Sequence, residues 1–139
     1  MRLPLPEARK LTHTTISPIR WGDMDPMGHV NNTLYFRYME IVRLEWFGRI
    51  GVAMDPQACG PVLINAYCNF LRQLQYPGDV VAKHYVGNAG RSSFDTYMTL
   101  ERSDAPDVIY ADGGATTVWT DIKAQKSVPM PDWLRSMLG

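Results

Sequence analysis

"NNTLYFRYMEIVRLEWFGRIG", residues 31–51, decides the fold, because it is the one long helical pattern in a chain that otherwise reads as strands. Tyr35, Tyr38, Met39, Val42, Trp46 and Ile50 recur at the i, i+3, i+4, i+7 spacing of a single helix face. Leu34, Phe36, Ile41, Leu44 and Phe47 are also apolar and fall off that stripe. The pattern therefore predicts a helix from Asn32 to about Ile50, buried over most of its circumference. Gly51 supplies the stop, since glycine tolerates the left-handed conformation that ends helices. Asn31 and Asn32 are candidates to cap its start.

On either side of the helix the period falls to two. "HTTISPIRW" (13–21) reads as a short strand that Pro18 confines to an edge or a bulge. After the helix, Val62, Ile64, Ala66, Cys68 and Phe70 alternate with Leu63, Asn65, Tyr67 and Asn69, which predicts a strand with the first set on one face. "YPGD" (76–79) is a turn. "VVAKHYV" (80–86) and "SFDTYMTLE" (93–101) are two further strands, joined through "GNAGR". "VIYADGGATTVWTD" (108–121) is a long last strand in which Gly113 and Gly114 suggest a bulge. "MPDWLRSML" (130–138) closes the chain as a short amphipathic helix, a candidate for docking on a partner subunit. One strand, one buried helix, then strands in hairpin succession make a single α+β domain over residues 1–139, an antiparallel sheet wrapped around a long central helix. Its unpaired edge strand is suited to recruiting a second copy.

Composition excludes several classes of function. The 139 residues hold 14 Lys and Arg against 14 Asp and Glu, and the cations are scattered rather than clustered as a nucleic-acid footprint would require. Cys59 and Cys68 have no CxxC or Cys–His spacing, so they read as two reduced thiols, with Cys68 buried in a strand. The opening "MRLPLPEARKLTHTT" has no apolar run to serve as a signal peptide, and no stretch reaches the length of a membrane span. A cytoplasmic protein, acting without membrane or nucleic-acid partners, is expected.

Chemistry is concentrated in "WGDMDPMGHVNN" (21–32), which runs into the helix. Taken alone, Asp23 and Asp25 read as turn formers, as Asp before Pro-X-Gly often is. His29 reads equally as a hydrogen-bonding site residue or as part of the loop's shape. "DMDPMGH" also has the look of a metal box, but no further ligand cluster supports one, so no metal or cofactor is expected. Glu40, two helical turns from Asn32, is within reach of the site but reads more simply as an ordinary buried or paired carboxylate.

The chain resembles the hotdog-fold acyl-CoA thioesterases of the 4-hydroxybenzoyl-CoA thioesterase-like group. The resemblance runs over nearly the whole length: "GDMDPMGHVNNTLYFRYME" at the loop and helix, then "NFLRQLQYPGD", "GRSSF" and "VWTDIKAQKSVPMP" in the expected order. It implies a hotdog fold and hydrolysis of an acyl-CoA to free acid and coenzyme A. Asp25 matches the family's catalytic carboxylate and Asn32 the residue whose backbone N–H stabilises the oxyanion. His29 matches the "HVNN" form of other thioesterases of the fold. Arg91 matches a basic residue that contacts coenzyme A phosphates in some relatives; they carry further cations beside it, where this chain has Gly90 and Ser92. A homodimer or homotetramer is implied, with the acyl site at the subunit interface.

The spacing has a physical logic. An aspartate is ionised at neutral pH without tuning and can serve a thioester as base or nucleophile. The first N–H groups of a helix are unpaired and lie at the positive end of its dipole, where a developing oxyanion is stabilised. Two other classes of function use such a scaffold: a non-catalytic acyl-CoA-binding module, and an acyl-thioester dehydratase or hydratase in which His29 would move a proton at carbon. Release of free thiol separates hydrolysis from both.

Overall fold

The computed structural model describes residues 2–139. Helix α1 (Asn32–Arg49) lies across a sheet of β1 (Lys10–Pro18), β2 (Cys59–Phe70), β3 (Asp79–Gly87), β4 (Ser93–Arg102) and β5 (Ala111–Asp121). Every pairing is antiparallel and the order is β1-β3-β4-β5-β2, with the short β6 (Lys126–Ser127) on β5. A single 3-10 turn (Trp21–Asp23) precedes α1, and α2 (Asp132–Leu138) ends the chain. This is the α+β arrangement expected from the periodicity, except that β2 forms no hairpin with β3. The chain crosses the sheet after β2, which pairs with β5 at the far edge, while β3 takes its place between β1 and β4. β1 stands at an edge, where Pro18 forfeits no ladder bond. No described helix is long and apolar enough to cross a membrane.

The face of α1 that packs on the sheet is the stripe read from sequence. Tyr35, Tyr38, Met39, Val42 and Trp46 are all at most 4% exposed and meet Val80, Ala82, Met98, Leu100 and Phe94. Burial is not all-round, however. Phe36 is 38% and Leu44 47% exposed, because β2 forms the other sheet edge and leaves that flank of the helix open. Arg43, polar and off the apolar stripe, is buried instead.

Three further expectations are corrected. The bulge lies in β2 and not at Gly113 and Gly114, which pair in register with Cys68 and Tyr67. Leu63 opposes Thr117 and Asn65 opposes Thr116, so Ile64 is the extra residue, and the Asn65 side chain accepts from Thr116 N–H at 3.1 Å. Two residues against one reverse the alternation, so Leu63 and Pro61 turn to the helix side in place of Val62. The glycines serve close approach: a Cβ on Gly113 would stand 3.1 Å from Met39 Cε and 3.0 Å from Cys68 Cα. The last strand starts at Ala111, later than the composition suggested. Finally, α2 docks on its own chain, with Leu134 and Leu138 joining Trp46, Phe47, Phe94 and Trp119 in one cluster.

The sheet's outer face is covered too, by a segment that the sequence presented only as a polar start. Arg2 pairs with Asp112 at 2.9 Å, the Asn69 side chain bonds both N–H and C=O of Leu3, and the Arg9 guanidinium lies over the Tyr85 ring. Tyr97, Thr99 and Glu101 are thereby buried on the face that alternation alone assigns to solvent.

Candidate active site

The loop before α1 is built around one carboxylate. Pro26 and Met27 occupy the centre of a turn that Gly28 N–H closes on Asp25 C=O at 3.0 Å. Gly28 has φ +80°, a conformation that costs an L-residue with a side chain about 1–2 kcal/mol. The chain then doubles back, and Asp25 N–H donates to His29 C=O at 2.7 Å. Asp25 Oδ1 accepts from Met27 N–H at 2.9 Å and His29 N–H at 3.3 Å. Oδ2 accepts from no group among the described residues, so one oxygen is fixed and the other is left to act.

Helix entry is fixed just as locally. Asn31 is the cap: its Oδ1 accepts from Thr33 N–H at 2.9 Å and from the Thr33 hydroxyl, while its C=O accepts from Leu34 N–H. These bonds satisfy the second and third N–H groups of α1. Asn32 N–H, the first, donates to no acceptor among the described residues. The helix dipole adds positive potential at that end.

Asp25, His29 and Asn32 line one cleft of about 470 Å³, together with Tyr35, Phe70 and Arg72. Its far wall is the segment after β2, which α1 and the loop hold in place. The buried Tyr35 hydroxyl accepts from Leu74 N–H at 2.9 Å and donates to Arg72 C=O at 3.2 Å, and Val30 N–H bonds Leu74 C=O at 2.8 Å. Burial raises the Tyr35 pKa, so the phenol stays a neutral two-way connector. The sequence marked Tyr35 only as core, and nothing local in it shows that its hydroxyl reaches 39 residues along the chain. Arg72 is a cation in the cleft that sequence reading passed over, because one arginine in a loop carries no periodic signal.

The remaining candidates stand elsewhere. The Asp23 carboxylate is engaged by Arg20 N–H at 2.9 Å and by the Tyr38 hydroxyl at 3.3 Å, bonds that shape the 3-10 turn. Burial, with Asp23 second, raises the Tyr38 pKa and keeps that hydroxyl a donor. Glu40 is exposed and pairs with Arg37 at 3.4 Å. Arg91 is exposed in the β3–β4 loop, whose carbonyls Arg135 of α2 holds at 2.9 Å. That loop adjoins the cluster at the C-terminal half of α1, so within one chain Arg91 is at the opposite end of the helix from Asp25. Both cysteines are free; burial, with Asp112 second, pushes the Cys68 thiol up to about 12, so it remains protonated.

The profile of the thioesterase-like superfamily matches residues 19–138, and the chain belongs to that superfamily of thioester hydrolases. Its architecture is the hotdog fold. The PA2801 protein of Pseudomonas aeruginosa, a candidate thioesterase, superposes with a TM-score of 0.89 at 38% identity over 94% of this chain and 100% of that one. A candidate acyl-CoA thioesterase of Xanthomonas campestris gives 0.73 at 36% identity over 85% and 98%. A thioesterase of Thermus thermophilus, solved with coenzyme A and zinc, shares the fold at 24% identity, with a TM-score of 0.78 over 92% of each chain. YsmA of Bacillus subtilis is 30% identical over 56 residues, which span 40% of this chain and only 38% of YsmA.

Proposed function

We propose that this protein hydrolyses acyl-CoA thioesters to free acid and coenzyme A, with Asp25 as base or nucleophile and Asn32 N–H as oxyanion donor. The observation that carries this reading is the juxtaposition in one cleft of a carboxylate oxygen and a helix N–H, both without partners among the described residues. Asp25 Oδ2 takes a proton from water as the water oxygen adds to the carbonyl, or itself adds to that carbon. In either case the negative charge builds on the former carbonyl oxygen, which Asn32 N–H receives. Collapse breaks the C–S bond and releases the thiolate, which takes up a proton. On the second route the acyl group remains on Asp25 as a mixed anhydride, which water then hydrolyses to the free acid and the regenerated carboxylate. Removing such a donor costs about two to three orders of magnitude in rate. His29 contributes through its backbone, which closes the loop on Asp25, and its half-buried ring completes the cleft wall.

The working unit is a homodimer or homotetramer. Val62, Leu63, Ile64 and Phe70 on edge strand β2 are 38–63% exposed and adjoin the open Phe36 and Leu44 of α1, an apolar strip that pairing with a second copy would cover. Such pairing gives Arg91 its role, at the mouth of the partner's cleft and in contact with a coenzyme A phosphate. A thiol-release assay over short, long and aromatic acyl-CoAs tests the reading. Thiol release that survives Asp25→Asn at the wild-type rate, or none from any acyl-CoA, rejects it.

A further inference from the structure

Leu74 is wholly buried, and both of its backbone groups are committed to the cleft. Its N–H donates to the Tyr35 hydroxyl at 2.9 Å, and its C=O accepts from Val30 N–H at 2.8 Å, in the stretch that leads from Asp25 to the helix. The same hydroxyl donates to Arg72 C=O at 3.2 Å, two residues back along the wall. Three pieces of the site thus meet around one phenol oxygen: the Asp25 loop, the first turn of α1 and the wall opposite them. Val30, Tyr35 and Leu74 are at most 2% exposed, so bulk water does not reach the junction.

The wall has firm anchors only on either side of this point. Leu71 and Arg72 N–H both donate to Tyr110 C=O, at 3.0 and 2.9 Å, and the Arg102 guanidinium binds the carbonyls of Gln75 and Pro77, each at 2.7 Å. Between these anchors the hydrogen bonds among the described residues go to Tyr35 and Val30 alone. The loop's other bond to the wall, Tyr76 N–H to Met24 Sδ at 3.4 Å, uses a weak acceptor. The Tyr38 hydroxyl reaches Asp23 at 3.3 Å, but that bond holds the 3-10 turn ahead of the loop. Loop and helix are joined covalently through Asn31, a hinge whose angle is set by the path that bypasses it: Val30 to Leu74 to Tyr35. Tyr35 follows Asn32 by three residues, and helical side chains lean toward the N-terminus, so its ring lies over the turn that carries the free Asn32 N–H.

We infer that Tyr35 is a positioning residue for the proposed reaction: through Leu74 it fixes the angle between the Asp25 loop and the first turn of α1, and so the gap between Asp25 Oδ2 and Asn32 N–H. This rests on the thioesterase reading and adds to it a residue that acts through its neighbours. The carboxylate oxygen and the N–H must straddle one carbonyl, and a reacting pair displaced by about 1 Å loses roughly a hundredfold in rate. Burial raises the Tyr35 pKa, so the hydroxyl keeps at neutral pH the proton that it donates to Arg72 C=O.

The test is Tyr35→Phe, which keeps the ring and its edge-on contact with Phe70 at 5.0 Å and removes only the hydroxyl. With the acyl-CoA that the wild type cleaves fastest, kcat should fall roughly ten- to a hundredfold while KM changes little, because the binding surfaces remain and their alignment is lost. Tyr97→Phe is the matched control. It too takes a hydroxyl bond from a buried tyrosine, to Asp95 at 3.2 Å on the sheet's outer face, and should leave kcat at the wild-type value. Amide exchange on the wild type needs no variant: Leu74 N–H should exchange only with global unfolding. A folded Tyr35→Phe with wild-type kcat, or with a raised KM alone, overturns the inference and leaves the thioesterase reading intact. An equal fall of kcat in Tyr97→Phe, or Leu74 exchange as fast as that of an exposed loop, does the same. Failure of Tyr35→Phe to fold assigns the hydroxyl to stability and also overturns it. No thiol release by the wild type from any acyl-CoA removes both readings.

Discussion

The two ends of α1 are built from the same helix and do opposite things. Its C-terminal half is sealed: Trp46 and Phe47 pack edge-on against Phe94, with Trp119, Leu134 and Leu138 around them. Its N-terminal end is left open, with a polar loop, an exposed Asn32 and a cleft bounded by a segment held through one tyrosine hydroxyl. Rigidity at the closed end holds the helix so that its first turn can keep an N–H unpaired without fraying. The contrast predicts that substitutions should divide cleanly into those that cost rate and those that cost stability.

The largest effect is expected at the open end. Asp25→Asn keeps the Oδ1 bonds to Met27 and His29 N–H, so the loop should stay closed while hydrolysis falls by about two to four orders of magnitude. Steady-state rates measured beside thermal melts check both halves of that statement, and a matching fall in Tm would blur the distinction. The mirror-image experiment is Phe94→Ala, at a position with 0% exposure. It should cost about 3–5 kcal/mol in urea unfolding and leave the rate per folded molecule nearly unaltered.

Arg91 sharpens the comparison, since it lies at the sealed end of its own chain. If a second copy brings it to the open end, Arg91→Ala raises KM for acyl-CoA roughly ten- to a hundredfold with kcat little changed. A fully active monomer by light scattering and dilution assay would return Arg91 to the ordinary surface.

The last effect vanishes at neutral pH and grows only with acid. His84 is wholly buried against Trp46, and its pKa is lowered to about 3, first by burial and then by Arg43. Thr12 Oγ1 stands 2.7 Å from its Nδ1 and 3.1 Å from its C=O. One hydroxyl proton serves both contacts only if the hydroxyl donates to the carbonyl and Nδ1–H donates to the hydroxyl, so His84 is neutral with a bare Nε2. A neutral folded histidine against an unfolded one near 6.5 means that stability is complete above pH 6.5. It is lost as pH falls toward 3, at up to about 1.4 kcal/mol per unit. Urea titrations of wild type and His84→Gln between about pH 4 and 7 should differ in slope by that amount, and parallel lines would refute the assignment.

What the sequence revealed and what it concealed follow from the range of the interactions. The helix, its buried stripe and the succession of strands along the chain rest on local periodicity, and they were legible; the sheet order was not, since β2 pairs with β5 and not with β3. The Asp25 loop was legible because the carboxylate, the turn glycine and the cap lie within a few residues of one another. The register of β2 was not, since Ile64 has the same strand propensity as its neighbours and only pairing with β5 shows it as surplus. The cover over Tyr97 and Glu101 was hidden because "RLPLPE" contacts residues some 66 to 110 positions away. Arg43 was hidden for the converse reason: its helix position looks outward until β2 folds over it.

The extra residue in β2 makes that strand two half-strands out of phase, joined at Ile64. Deleting Ile64 would remove the bulge and leave the pairs as they are, Leu63 opposite Thr117 and Asn65 opposite Thr116, so Pro61, Leu63 and Ala66 would keep the helix side. Loss of one residue at this position would therefore straighten the strand while sparing the residues that face α1. In descendants of this chain, a gap at Ile64 should accordingly be tolerated where a gap elsewhere in β2 would reverse the faces of half the strand.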